Sequence, residues 1–429
     1  MILNYILAYL IFSHLLVSQF YKMRKWLILA SYFAVSSLNG AAWLTISPIP
    51  EEAKSYYDIN DAELTLYSYS FFFSSVILSV PSSMLVSYSV KWALHEMWLT
   101  TFLGCWIRVL AGRNFWISFV GQLIISCGNM PMLVACSSLA TEWFPSSHHI
   151  LATTIAASAN FVGMGASYIV ITQFPDIESV LWYESYIASG CLLLHFLIAA
   201  NSPFPTEKKD LKNDLVLALK DNIHMTFILL ISSGLGTIYS IISIIGLLLE
   251  EQGYSIKDIG WMGFIFSMAG LLGGLLAAYL AEVKKSTRVS LAVFLLLAII
   301  SAFGFSAVIQ IEIADFVVAI IYGGTIISTL PLGIRACVEY MNEIHDSIPT
   351  NMIYMISQIL SCIYTYPIQF SKDIIGISGL WVAAGIVLLS YLPLFFMTRK
   401  FEGDNFSKEN YKGARIKIDQ SINLLNNDH

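Results

Sequence analysis

Charge is what this chain has least of. Asp, Glu, Lys and Arg make up 12% of its 429 residues, against 57% hydrophobic ones, whereas ordinary water-soluble domains carry about 25% charged residues. A soluble core cannot absorb that much apolar surface. Cysteine patterning is also missing: Cys105, Cys127, Cys136, Cys191, Cys337 and Cys362 fall within or beside apolar runs. No pair has the spacing of a disulfide framework or metal site, so they read as small packing residues. There is no His-Glu-x-x-His motif and there are no paired intramembrane aspartates, which argues against an enzyme and gives no reason to expect a cofactor or metal. A net charge of -6 argues against nucleic acid as a partner.

What is present is a series of apolar runs near 26–47, 64–88, 97–111, 115–140, 150–172, 181–201, 225–249, 259–282, 289–309, 316–337, 349–370 and 377–397. Hydrocarbon offers the backbone no hydrogen bonds, so runs of about 20 residues read as membrane-spanning helices. The fold class is all-α, a polytopic membrane protein with twelve spans. The run at 97–111 is short, and its start is expected inside the segment from Lys91 to Glu96. Residues 1–20 form a further apolar run without the basic flank or cleavage site of a signal peptide. It reads as an extra or interfacial helix, with a misplaced gene start as the alternative.

Alternate connections differ in charge. Seventeen Lys and Arg, including Lys22, Arg24, Lys25, Lys91, Lys208, Lys209, Lys284, Lys285 and six in the tail after Met397, lie on one side; only Lys54, Arg113, Lys257 and Lys372 lie on the other. The side holding the cations is expected to be cytoplasmic, and with it the C-terminus. The plasma membrane is the default location, and a monomer working with a small-molecule substrate in a lipid bilayer is the expected state.

The hydrophilic segment 202–224 divides the spans six and six, giving an N-terminal apolar segment 1–20, a half at 21–201, a linker at 202–224, a half at 225–397 and a tail at 398–429. Two parallel six-helix halves are the layout of the major facilitator superfamily, in which substrate binds near the midplane between them. Polar and aromatic positions recur between the halves. Gly40 with Trp43 matches Gly236 with Tyr239 at an offset of 196; Asn129 with Pro131 matches Thr329 with Pro331 at 200; Asn160 matches Gln358 at 198. An amide facing lipid is costly, so Asn129, Asn160 and Gln358 are expected to face the interior, around a cavity or as ties between helices. Pro131 and Pro331 remove backbone hydrogen bonds in mid-membrane, where a kink suits a gate. Gly270 and Gly274 have the spacing that lets helices approach.

No carboxylate lies in the middle of the first, fourth, seventh or tenth span, which leans towards passive or otherwise-coupled transport. Glu184 and His195 in the sixth span are expected near helix ends in solvated or snorkelling roles. Arg108 and Arg335 are the basic residues inside spans, and Arg335 is placed to pair with Glu339 one turn on. Aromatic rings with neutral amides and no central cation suit an organic cation such as a quaternary ammonium.

Several motifs resemble the feline leukaemia virus subgroup C receptor family, solute carrier family 49. They are Arg24-Lys25-Trp26-Leu27, Asn39 followed by Trp43, Gly121-Gln122, Trp143-Phe144-Pro145, Ala152-Thr153, Leu330-Pro331-Leu332-Gly333 with Glu339, and Ser357-Gln358. The match runs from about Lys22 to Met397. The resemblance implies a major facilitator fold and a solute transporter, in a family linked to choline and ethanolamine, haem and vitamin B6. The choline-handling members' cavity residues fall by motif on Trp43, Tyr239, Asn129 and Gln358, with Asn129 standing where the family has glutamine. Asn160 and Thr329 are further candidates to line the cavity. Ser87 stands where the superfamily's loop after the second span carries an acid, while Glu282, followed by Lys284, Lys285 and Arg288, keeps the second copy, so an asymmetric cytoplasmic latch is expected. The expected function is alternating-access transport of choline or a related amine. Haem or a B6-type vitamin is the alternative substrate, and a non-transporting receptor or sensor on the same fold the alternative class.

Overall fold

A computed structural model describes residues 2–145, 148–174, 176–199, 201, 219, 222–283, 286–309, 311–340, 347–376 and 378–400. Most of 202–224, and the tail beyond Lys400, lie outside the described residues. The described chain is helical, with no strand: α1 Ile2–Trp43, α2 Pro50–Tyr57, α3 Asp61–Tyr88, α4 Val90–Leu110, α5 Phe115–Cys127, α6 Asn129–Trp143, α7 His149–Ile171, α8 Ile177–Ile198, α9 Asn222–Glu250, α10 Ile256–Val283, α11 Thr287–Val308, α12 Glu312–Ile326, α13 Thr329–Tyr340, α14 Ser347–Gln369, α15 Ser371–Ile375 and α16 Gly379–Lys400. Among them, nine helical stretches are long and apolar enough to cross a membrane. The first, third and eleventh spans, in α1, α4 and α14, complete the twelve.

Loop chemistry starts several of these helices. The Asn60 side chain accepts from Glu63 N at 3.0 Å, and Glu63 returns the bond to Asn60 N, a capping box. Asn114 and Asp176 cap α5 and α8 with a single side-chain bond each, accepting from Ile117 N and Ser179 N at 3.2 and 2.7 Å, and satisfy donors that a helix start leaves open. The third span is longer than its apolar run and starts at Val90, before the Lys91 to Glu96 segment. The apolar N-terminal segment is continuous with the first span, so α1 is one helix of 42 residues.

Two spans are broken. Pro131 cannot donate to the carbonyl of Cys127, and Pro331 cannot donate to that of Ile327, while each ring crowds the same oxygen. The fourth span accordingly divides between α5 and α6 at Gly128, and the tenth divides between α12 and α13 at Ile327 and Ser328. Both prolines fall in the first turn of the second piece, where a missing N–H costs nothing.

The repeated glycines mark repeated packing. A Cβ on Gly40 would stand 2.6 Å from the Asn160 carbonyl of α7, and one on Gly236 would stand 3.0 Å from the Ser357 carbonyl of α14. The first span therefore meets the fifth as the seventh meets the eleventh. In the eighth span Gly270 and Gly273, rather than Gly274, make the close approach, to Ile327 and Gly324. The six cysteines are free. Large apolar side chains such as Ile77, Leu110, Leu197, Ile300 and Leu389 face outwards, as contact with lipid tails requires.

Candidate functional site

The helix ends define two faces, an acidic one carrying Glu51, Asp61, Asp176 and Asp258 and a basic one carrying Lys25, Lys91 and Arg288. Between them, α1 brings Trp43, α3 Phe71, α6 Asn129, α7 Asn160, α9 Tyr239 and α14 Gln358 around a single void of about 10 Å³, room for about one water molecule. Each repeat contributes one aromatic from its first helix and one amide from its fifth. The motif-matched residues, and the aromatic and amide members of the offset pairs, thus meet at one void.

Its walls are aromatic. The Trp43 ring stacks on Phe71 with centroids 5.8 Å apart and meets Phe72 and Tyr239 edge-on at 5.8 and 5.7 Å. Its indole N–H donates to the Ser68 carbonyl at 3.4 Å. Asn129 opens α6 at the break imposed by Pro131 and donates to Ser75 Oγ at 2.9 Å; Asn160 donates to the Ser36 carbonyl at 3.4 Å. The Gln358 side-chain carbonyl is buried without a hydrogen-bond partner. No charged side chain lines the void.

Thr329 is not part of it. Its hydroxyl contacts Tyr391 Oη at 2.6 Å and the Ile326 carbonyl, so it ties the tenth span to the twelfth. Arg335 is exposed on α13. Glu282 and Glu339 lie near the ends of α10 and α13; their side chains, and with them the latch expected of Glu282 and the pair expected of Arg335 with Glu339, fall outside the described residues.

The chamber is closed towards both faces. On the acidic side, Thr65 Oγ1 donates to Gln369 Oε1 at 2.6 Å, Ser47 Oγ to the Ser243 carbonyl at 3.0 Å, and Tyr168 Oη to the Ile242 carbonyl at 2.5 Å. A second void of about 10 Å³, lined by Ser47, Thr65, Ser68 and Ser243 among others, lies among these bonds. On the basic side, Asn351 Nδ2 donates to Ser83 Oγ at 2.6 Å and to the Ser79 carbonyl at 3.3 Å.

Charge lies just beside the chamber, and its arrangement corrects the sequence reading. Glu184 is buried rather than solvated, with Arg108 at 3.2 Å, and accepts from Thr45 Oγ1 at 2.7 Å. Arg108 is fully buried against the Tyr67 ring. His195 does not snorkel: it is buried, 2.9 Å from Ser31 Oγ and 2.8 Å from His95 Nδ1. A usable signal for the ion pair was present, since Arg108 and Glu184 are opposite charges in one half, each within about two turns of the acidic end of its helix.

Two helical halves enclosing a mid-membrane chamber define a membrane transporter. The chain belongs to the Major Facilitator Superfamily, whose profile matches residues 27–364. Relatives include an uncharacterized MFS-type transporter of Caenorhabditis elegans, 21% identical over 80% of this chain, which spans 64% of that protein. Solute carrier family 49 member A3 of Danio rerio is 23% identical, covering 81% of this chain and 78% of its own length. The choline/ethanolamine transporter FLVCR2 of Homo sapiens is 21% identical, covering 80% and 71%. The crystal structure of a D-xylose-proton symporter superposes with a TM-score of 0.69 at 13% identity, over 86% of this chain and 97% of that one. A bacterial homologue of the lysosomal transporter Spinster, inward-facing and occupied, gives 0.66 at 11% identity over 89% and 98%.

Proposed function

We propose that this protein carries a small organic cation, choline or a related amine, across a membrane by alternating access between its halves. One observation carries the reading: an uncharged chamber walled by Trp43 and Tyr239, with a buried, unpartnered Gln358 carbonyl. A quaternary ammonium is drawn to ring faces and needs no hydrogen-bond donor, while the hydroxyl of choline supplies a donor to Gln358. The relatives named choline/ethanolamine transporters support the same class.

The energetics suit turnover. In the closed state Trp43 and Tyr239 satisfy each other edge to face, an arrangement of about 0.5–1.5 kcal/mol beyond area burial. An entering cation replaces it with cation–π contacts of about 0.5–2 kcal/mol. Binding is then a modest exchange, and release is not blocked by a deep well. The void is far smaller than such a substrate, so loading requires the halves to part at one face.

The halves at 21–201 and 225–397 are taken as the moving bodies, joined by the linker at 202–224, with a monomer as the working unit. The basic face and the C-terminus are assigned to the cytoplasm and the plasma membrane as the site of action. A pyridine ring of the B6 type would stack on the same walls and is the second reading. Haem is disfavoured because no histidine lines the chamber to ligate its iron.

Uptake of labelled choline, with labelled pyridoxine in parallel, tests this in cells expressing the chain beside Trp43→Ala and Tyr239→Ala at matched surface levels. Saturable choline uptake is expected, with each variant weakened about 2- to 30-fold in apparent affinity. Unchanged affinity in both variants would remove the site, and saturable pyridoxine uptake alone would transfer it to the second reading.

A further inference from the structure

We propose that Arg108 and Glu184 are positioning residues that hold the broken end of the first span and thereby orient Trp43 over the chamber. This rests on Trp43 being a wall of the substrate site.

The apolar run of the first span continues to residue 47, yet helix α1 stops at Trp43 and Leu44 to Pro48 form turns. A helix end leaves its last carbonyls without intrahelical donors and concentrates partial negative charge there, inside the membrane where water cannot compensate. The donors come from two other spans. Gln122 Nε2 of α5 reaches the Ala42 carbonyl at 3.0 Å and that of Trp43 at 3.4 Å; Arg108 Nη1 of α4 reaches the Ala42 carbonyl at 3.3 Å. Glu184 of α8 then balances the guanidinium and accepts from Thr45, whose hydroxyl is also 3.0 Å from the Ala42 carbonyl. The ion pair therefore holds the chain on both sides of Trp43, at the carbonyl of the residue before it and at the side-chain hydroxyl two residues after it.

The corresponding helix of the other half has no such break. Helix α9 runs through Tyr239 to Glu250 unbroken, and no charged side chain is needed beside Tyr239 because no carbonyl is left open there. Buried ion pairs are costly to desolvate and apolar packing can replace them. This pair stands beside the broken end of α1, at the substrate-facing tryptophan.

The test is a double-variant cycle in choline uptake at matched surface levels. Glu184→Gln is expected to raise the KM for choline about 2- to 30-fold, the range of one lost aromatic face, with Vmax retained. Placed on Trp43→Ala, the same change is expected to add nothing. Arg108→Lys, which keeps the charge but withdraws the Nη1 that reaches both the Ala42 carbonyl and Glu184, is expected to shift KM in the same direction and covers the case in which Glu184→Gln does not reach the surface. An unchanged KM, or effects that multiply with Trp43→Ala, would overturn the proposal. A second arm needs no substrate: with Ser47→Cys in a background lacking the six native cysteines, an impermeant maleimide is expected to react faster when Glu184→Gln is present. Equal rates would overturn the positioning role. An absence of choline uptake by the unaltered chain together with faster labelling would remove the substrate assignment and leave this role standing.

Discussion

Gln358 illustrates the conflict between stability and function at the scale of one residue. Its carbonyl is buried with no donor, and leaving such a group unpaired costs about 1–3 kcal/mol. Gln358→Met is therefore expected to raise the unfolding temperature of the purified protein while lowering choline uptake, and thermal unfolding beside uptake checks both directions. Asn129 differs from Gln358 in having a chamber-side hydrogen bond already made, from its amide to Ser75 Oγ, so its short side chain is held back against α3. Asn129→Ala is expected to weaken uptake less than Gln358→Ala, read as a smaller rise in KM.

At the scale of elements, the broken spans and close helix approaches set where movement is possible. Gly246 of α9 lies so close to the turn after α1 that a Cβ there would stand 1.7 Å from the Ser47 carbonyl. Contact between the halves at the acidic face depends on that missing atom. Gly246→Ala is expected to push α1 from α9 and expose Ser68→Cys, beside the second void, to an impermeant maleimide applied from that side. Labelling no faster than in the parent would show that the seal tolerates the extra methyl. Pro131 and Pro331 marked the breaks at Gly128 and at Ile327 as candidates, but Pro81, Pro367 and Pro393 lie inside helices that continue through them, so a proline alone does not fix a break. The stop at Trp43 was not marked locally, since Leu44-Thr45-Ile46-Ser47 still fits a membrane helix and the donors that hold its open carbonyls come from α4 and α5.

For the whole molecule, the closed state balances two sets of bonds between halves. Asn351 bridges to Ser79 and Ser83 near the basic face, and Gln369 to Thr65 near the acidic face. Each neutral bond contributes about 0.5–1.5 kcal/mol, and a balanced two-state system responds to changes of that size. Asn351→Ala is expected to favour opening at the basic face and Gln369→Ala at the acidic face. Cysteine reporters on either side of the chamber should shift in opposite directions; shifts in the same direction would mean that the bonds do not act as separate gates.

Local chemistry in the chain was enough for the helical class, the two-half plan and the inward-facing amides Asn129, Asn160 and Gln358, while Trp43 and Tyr239 stood out by their recurrence between the halves and by the family motifs. An apolar run must be helical in hydrocarbon, and an amide there must face inwards. Tertiary structure alone decided that Thr329 turns to Tyr391, that His195 meets His95, and that Arg108 and Glu184 form a buried pair at the end of α1. Those outcomes depend on which helices lie side by side. The local chain carries little of that information, because any one of these polar groups could have been satisfied by several neighbours.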